Sequence, residues 1–361
     1  VRKVSSCRWE DSATCRIGAR MGRPEKSGVR EMKPMVHALY PIAETGGPQR
    51  LIGESSSKGI IRVQMGPRIC TVCGSESPHI RCHKRPDPNV PIECGGRTEE
   101  RKKRGGNRRR KGEFTTVPIS SILEVKRRSL GLDKLPSKIK AVKGLISIGQ
   151  SPEPLEKGIL RAKHGVSVFR DGTSRYDMSD VPVTHFKPVE IGTPWESLVR
   201  LGYTHDIRGN QLSSDTQMLE LLPQDFIPSI RSKDHLLATC GFVDELLIRF
   251  YGMEPFYNAL TEIDLVGRLA IGLAPHTSGG VLCRIIGWTS SSAGYAHPLF
   301  HAAKRRNCDG DEDSIMMLMD GLLNFSKEIL PAGRGGRMDA PLVLTTRLNP
   351  MEIDKEALNV D

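Results

Sequence analysis

His301-Ala-Ala-Lys-Arg-Arg-Asn-Cys-Asp-Gly-Asp-Glu-Asp313 sets three basic residues just ahead of four carboxylates packed within five positions. Like charges about 4–5 Å apart repel by about 3–4 kcal/mol per pair at an effective dielectric of roughly 20. A turn that concentrates Asp309, Asp311, Glu312 and Asp313 therefore needs a compensating cation. Hard divalent ions with oxygen ligands, Mg²⁺ or Mn²⁺, suit carboxylates best. The adjacent Lys304, Arg305 and Arg306 suit a polyanion arriving at that ion. A solvated acidic turn is the usual fate of such a run, but those turns are rarely hemmed by apolar sequence on both sides. A helix-loop-helix calcium site needs Gly at its sixth position and Glu at its twelfth. Counting from Asn307 puts Glu312 and Leu318 there, and counting from Asp309 puts Ser314 and Asp320. Neither register works, so a catalytic metal site is the reading retained.

Outward from the turn, the pattern reads as short strands and a few helices. Downstream, Ile315, Leu318, Met319, Leu322 and Ile329 mark one face of a helix. Asp313 or Ser314 would cap it, and Pro331 and Gly333 would stop it. Pro341–Thr346 reads as a strand. Upstream, Val281–Trp288 reads as a buried strand behind the breaker-rich loop Pro275–Gly280, and Asp234–Tyr251 as an amphipathic helix. Val166–Phe169 and Thr173–Tyr176 read as a hairpin about Asp171-Gly172. Short runs with Pro and Gly turns continue to Leu212, a rhythm that predicts a barrel rather than a doubly wound sheet. Glu153–Lys163 starts a helix, with Pro154 near its first turn. His185 and His205, beside strand edges, are expected to be structural.

The whole chain sets wider bounds. Its 361 residues allow two domains or one large elaborated one. The formal charge of +11 points to an anionic partner, most commonly nucleic acid. No run of about 18 apolar residues exists to span a membrane. Val1-Arg-Lys3 leads into polar sequence unlike a secretory leader, so a cytoplasmic protein is expected. A missing initiator Met and an end shortly after a strand-like run lead us to expect an internal fragment. Four of the nine cysteines lie between Cys70 and Cys94, a pattern of metal knuckles in a reducing compartment. Cys70, Cys73, Cys82 and Cys94 are enough for a tetrahedral structural Zn²⁺, with His79 or His83 as substitutes. Arg101–Lys111 is a Gly-broken cationic run, expected as a mobile loop that either meets a nucleic-acid backbone or stays solvated. Arg16–Pro34 is a second Gly-punctuated basic stretch, without Walker A spacing.

Several motifs together resemble one family. Gly18-Ala-Arg-Met-Gly-Arg-Pro-Glu-Lys26, Glu153-Pro-Leu-Glu-Lys-Gly158, Leu201-Gly-Tyr-Thr-His-Asp206, Ile271–Ser278, Tyr295-Ala-His-Pro298, His301–Asp313 and Met338–Leu342 stand in the order found in large, catalytic subunits of archaeal family-D DNA polymerases. The resemblance runs from Arg16 to Asp361 and is poorest from Lys84 to Gly112. It implies an α+β fold of two facing double-psi β-barrels, as in multisubunit RNA polymerases, with helical elaborations and an inserted zinc-binding module. The expected division is residues 1–66 for the first part of one barrel, 67–112 for the zinc module and basic loop, 113–165 for the remainder of that barrel or a connector, and 166–361 for the second barrel with the acidic motif.

The reaction implied is template-directed transfer of deoxynucleotides from dNTPs to a primer 3′-hydroxyl on primer-template DNA. Asp309 and Asp311 match the family's metal ligands, and their spacing about Gly310 lets both face one ion. Asn307 and Asp313 are further candidates, to bind Mg²⁺ or to brace the loop. Lys26, Arg30 and Lys33, from the other barrel, would neutralise the triphosphate, and Lys304, Arg305 and Arg306 would touch the primer or template backbone. The resemblance also implies a small exonuclease subunit and a sliding clamp as partners. Two competing readings are an RNA-synthesising two-barrel enzyme and a non-catalytic, zinc-dependent nucleic-acid-binding module.

Overall fold

A computed structural model describes residues 25–65, 68–77, 79, 82, 94–100, 114–145, 150–305, 310–327, 329–330 and 337–349. In chain order the first half carries β1 (Ser27–Val29), β2 (Ala38–Pro41), α1 (Ile52–Ser57), β3 (Ile61–Gln64), β4 (Arg68–Cys70), β5 (Glu76–Ser77), β6 (Thr98–Glu100), β7 (Phe114–Val117), α2 (Ile119–Ser129), β8 (Ala141–Val142) and α3 (Leu155–His164). The second half carries β9 (Tyr176–Pro182), β10 (His185–Phe186), α4 (Trp195–Arg200), β11 (Leu219–Glu220), β12 (Asp225–Ile227) and α5 (Lys233–Leu246). It continues with β13 (Leu269–Leu273), β14 (Gly279–Ile285), β15 (Ala293–Ala296), α6 (Pro298–Ala303), β16 (Glu312–Met317), α7 (Leu318–Asn324) and β17 (Val343–Thr345).

Six strands close a barrel in the order β9-β15-β12-β14-β13-β16, with β16 returning to β9. Strand β9 is the hinge of that closure. Its first half runs antiparallel to β16, with Tyr176 opposite Ile315 and Ser179 opposite Glu312, and its second half runs parallel to β15. Strands β12 and β14 are also parallel, so the barrel is of mixed direction. Met178, Phe226, Val281, Cys283, Ile315 and Met317 join the main apolar core from its strands. Strand β1 adds to β9, and β17 adds to β14.

The expected barrel is therefore present once, and the described residues close no second one. Their other strands make small sheets: β2 with β8, β3 with β7, and β4 between β5 and β6. The basic segment assigned to the other barrel instead enters as β1, beside β9 in the same sheet as the acidic strand.

The expected helix from Ile315 to Ile329 is corrected. Glu312–Met317 is a strand, and only Leu318–Asn324 is helical, with Met317 rather than Asp313 or Ser314 at its N-cap. Every residue of β16 after Glu312 is buried, so the strand lacks the alternation that marks a half-exposed one. A continuous apolar run then reads as readily as a helix. The expected hairpin at Val166–Tyr176 is a tight turn instead, closed by the Phe169 amide donating to the Thr173 carbonyl at 2.8 Å. Helix α5 starts one residue before the expected Asp234–Tyr251 range, and a π turn over Leu247–Tyr251 completes it. The cationic run Arg101–Lys111 lies outside the described residues.

Candidate active site

Helix α6 delivers the chain to the acidic turn. Pro298 occupies its first position, and His297 caps it by accepting the Leu299 amide at 3.1 Å. Past α6, Arg305 takes φ +60°, and Gly310, ahead of β16, takes φ +89°. Gly310 holds its left-handed conformation at no Cβ cost, which lets the turn feed straight into β16. The Asp180 amide of β9 donates to the Asp311 carbonyl at 2.8 Å and fixes the backbone where the acidic turn becomes strand.

From that anchor the side chains diverge. Glu312 points outward and pairs with the Lys26 Nζ at 2.7 Å, an ion pair in which Lys26 is 70% and Glu312 34% exposed. Such a pair contributes at most about 1 kcal/mol, so an arriving phosphate can compete for the ammonium. Lys26 itself is placed by its backbone, whose amide donates to Ser179 Oγ and whose carbonyl accepts the Ser179 amide. Arg30 donates to Asp177 Oδ2 at 2.8 Å, and Asp177 Oδ1 accepts the Ser314 hydroxyl. Strands β1, β9 and β16 thus gather Lys26, Arg30, Asp177, Asp311 and Glu312 at one end of the barrel. Lys33 is exposed, and among the described residues no ion pair ties it to this group.

Beneath the turn lies a buried ionic cluster. Asp180, His301, Lys304 and Asp313 are each almost fully buried. Lys304 Nζ donates to Asp180 Oδ2 at 2.8 Å and to Asp313 Oδ2, while His301 Nδ1 lies 3.0 Å from Asp180 Oδ2. Burial alone would discharge Lys304, but Asp180 and Asp313 overcome it and hold the ammonium above its ordinary range. Burial likewise opposes ionisation of Asp180, and Lys304 with His301 overcomes it, keeping that carboxyl well below the usual range. Asp313, buried and then repelled by Asp180, is pushed up to about 8.

One expectation is corrected here. Lys304 cannot meet a DNA backbone, because its ammonium is enclosed with two carboxylates. Asp313, expected to bind Mg²⁺ or brace the loop, is buried with its carboxyl on the Lys304 ammonium. Arg305 is exposed, as a backbone contact requires. Arg306, Asn307 and Asp309 lie outside the described residues. Asp177 and Asp180 were missed, since isolated aspartates in a strand-like run carry no pattern. The three-residue spacing of His301 and Lys304, one helical turn apart beside buried Phe300, was a legible signal for two polar groups turned inward.

The cysteines converge independently. Cys70 Sγ lies 3.7 Å from Cys94 Sγ, and Cys73 Sγ lies 3.5 Å from Cys82 Sγ. Tetrahedral ligands about 2.3 Å from a metal sit about 3.8 Å apart, so the spacing fits a zinc-sized ion. The Val72 and Cys73 amides approach Cys70 Sγ at 3.4 and 3.5 Å, as a knuckle requires. The Ser75 hydroxyl lowers the Cys73 thiol to about 6, which favours thiolate. His79 takes no part and stacks on Tyr40 instead, and His83 lies outside the described residues.

Residues 132–361 match the family model for the DNA polymerase II large subunit DP2, catalytic domain, and residues 1–104 match the central domain of that subunit. The DNA polymerase II large subunit of Methanocella arvoryzae is 51% identical over 97% of this chain and 32% of its own length. That of Methanococcoides burtonii is 49% identical over the same shares, and that of Archaeoglobus fulgidus is 46% identical over all of this chain and 33% of its own. The chain spans about a third of the length of these curated relatives. The catalytic-domain match takes in the whole six-stranded barrel and the acidic turn, and on it the chain belongs to the DNA polymerase II large subunit family.

Proposed function

We propose that this chain is the catalytic core of a DNA-directed DNA polymerase, which extends a primer 3′-hydroxyl with dNTPs on a DNA template. The observation that carries the reading is the barrel end where Asp311 is pinned by Asp180 while Lys26 and Arg30 stand alongside. We assign Asp309 and Asp311 as ligands of Mg²⁺ or Mn²⁺, with Asn307 beside them. A bound pair of such ions activates the attacking oxygen and stabilises the leaving one. The protein's part is positioning and charge neutralisation. Asp180 holds the ligand-bearing backbone, and Lys26 exchanges Glu312 for the triphosphate. Arg30 and the exposed Lys33 add positive charge on the same approach, and Arg305 with Arg306 meets the primer or template backbone. Cys70, Cys73, Cys82 and Cys94 hold a structural Zn²⁺. The barrel is read as one of two double-psi barrels, and the small exonuclease subunit and sliding clamp as partners of the full-length cytoplasmic protein.

The test is primer extension by the reconstituted polymerase carrying Asp309→Asn with Asp311→Asn. Loss of extension by at least about 10³-fold, with primer-template affinity retained, is expected for ligands of the catalytic ions. Intact extension would falsify the assignment. Extension with rNTPs in place of dNTPs would identify an RNA-synthesising enzyme, and binding without extension in the wild type would identify a binding module.

A further inference from the structure

The buried cluster under the acidic turn has the geometry of a cation site already filled. Asp180, His301 and Asp313 bring three ligand-type atoms within 4.8 Å of one another, a grouping that elsewhere holds a metal. Here the Lys304 ammonium sits among them, bonded to both carboxylates. The free space beside it is only about 10 Å³, at the lower limit for one water. The ammonium is therefore the group that answers the Asp180 carboxylate in this space. The lysine stem is held just as closely: its ammonium lies 4.6 Å from the Phe300 ring centroid, and its Cδ passes over Gly272 of β13, where a Cβ would come within 3.3 Å.

The cluster connects directly to the turn. Asp313 is two residues beyond Asp311 on β16, and Asp180 donates its amide to the Asp311 carbonyl. Lys304 thus ties both sides of Asp311, from α6 to β9 and β16, through one internal charge. We propose that Lys304 is a positioning residue for the catalytic metals, a permanent cation built into the barrel that sets where the backbone of Asp311 is held. This deepens the polymerase reading and rests on it. Lys304 touches neither substrate nor metal. A flexible surface lysine could not do this, because its ammonium would share its charge with solvent.

The experiment uses the full-length polymerase with its primer-template and reads Mn²⁺ affinity by electron paramagnetic resonance beside the Mg²⁺ dependence of kcat. Lys304→Met removes the charge but leaves Asp180 and Asp313 crowded. The double variant Lys304→Met with Asp313→Asn removes the ammonium together with the carboxyl that shares it with Asp180, and keeps the fold within reach. The double variant is expected to melt near the wild type and to bind primer-template within about twofold. It should bind Mn²⁺ at least tenfold more weakly and need correspondingly more Mg²⁺ for half-maximal kcat. In Lys304→Ala, added n-propylamine is expected to restore part of the lost Mn²⁺ affinity by placing an ammonium in the vacated channel, which a purely structural defect would not permit. Wild-type Mn²⁺ affinity in the folded double variant overturns the proposal. So does a loss of primer-template affinity with the metal requirement unchanged, since that would return Lys304 to DNA contact. Asp311→Asn runs in the same assay: if it extends primers normally the polymerase site itself is misassigned, and if it is dead while the double variant is normal only the role of Lys304 falls.

Discussion

Single buried charges decide much of this molecule's behaviour. Arg161 is fully buried, donating to Glu153 at 2.7 Å and to the Gly172 carbonyl at 2.8 Å while stacking on Phe242. Arg161→Met leaves the Glu153 carboxylate uncompensated, and we expect about 3–5 kcal/mol of lost stability in urea titrations. Asp320 is the opposite case, a buried carboxyl with no cation bonded to it among the described residues. It accepts the Ser174 amide and the Asn324 side-chain amide, and burial pushes it up to about 6. An acid whose folded value exceeds its unfolded one binds protons more readily when folded. Stability from Asp320 is therefore greatest below about pH 4 and is lost as pH rises to about 6. Asp320→Asn should flatten that slope, because Asn324 can turn its unpartnered carbonyl oxygen to the new amide. Thermal melts from pH 4 to 7 check this. At this scale the sequence was illegible where a charge is answered from about 120 residues away, as Lys304 is by Asp180.

The elements were legible by type more often than by edge. Helices α3 and α5 and strands β14 and β17 fall on stretches whose periodicity or apolar content marked them. Strand β16 was misread because burial on both faces erased its alternation. Packing constraints of this kind also fix residues that no motif marks. A Cβ on Gly272 of β13 would stand 2.8 Å from the Phe300 ring, so Gly272→Ala must push α6 off the barrel wall. We expect a cost of about 1–3 kcal/mol, seen as a lowered melting temperature, with weaker Mn²⁺ binding because Lys304 shares the contact. The cysteine module is a separate element, docked through Arg68 to Ser151 at 2.7 Å. Treating the zinc-loaded protein with a chelator is expected to speed hydrogen exchange across residues 68–100 while the amides of β13 and β14 keep their protection, as the proposed Zn²⁺ site requires. Equal protection in both regions after metal loss would mean the thiols alone hold the module.

The molecule as a whole is held by contacts that join distant parts of the chain. One barrel was anticipated from the rhythm of short strands, but its membership was not. That β1 would join the acidic strand's sheet through β9 depends on pairing across about 150 residues, for which a lone sequence carries no signal. Most of that barrel, β9 and β12 to β15, precedes the acidic turn, and the ring closes only when β16 pairs with β9 and β13. During synthesis the earlier strands must therefore wait as an open sheet with two bare edges, and such edges recruit other chains. A chain released at Arg305 should precipitate or stay bound to chaperones, and one released at Asn349 should not. Since β16 begins inside the acidic stretch itself, the ring cannot close until the acidic residues have emerged from the ribosome.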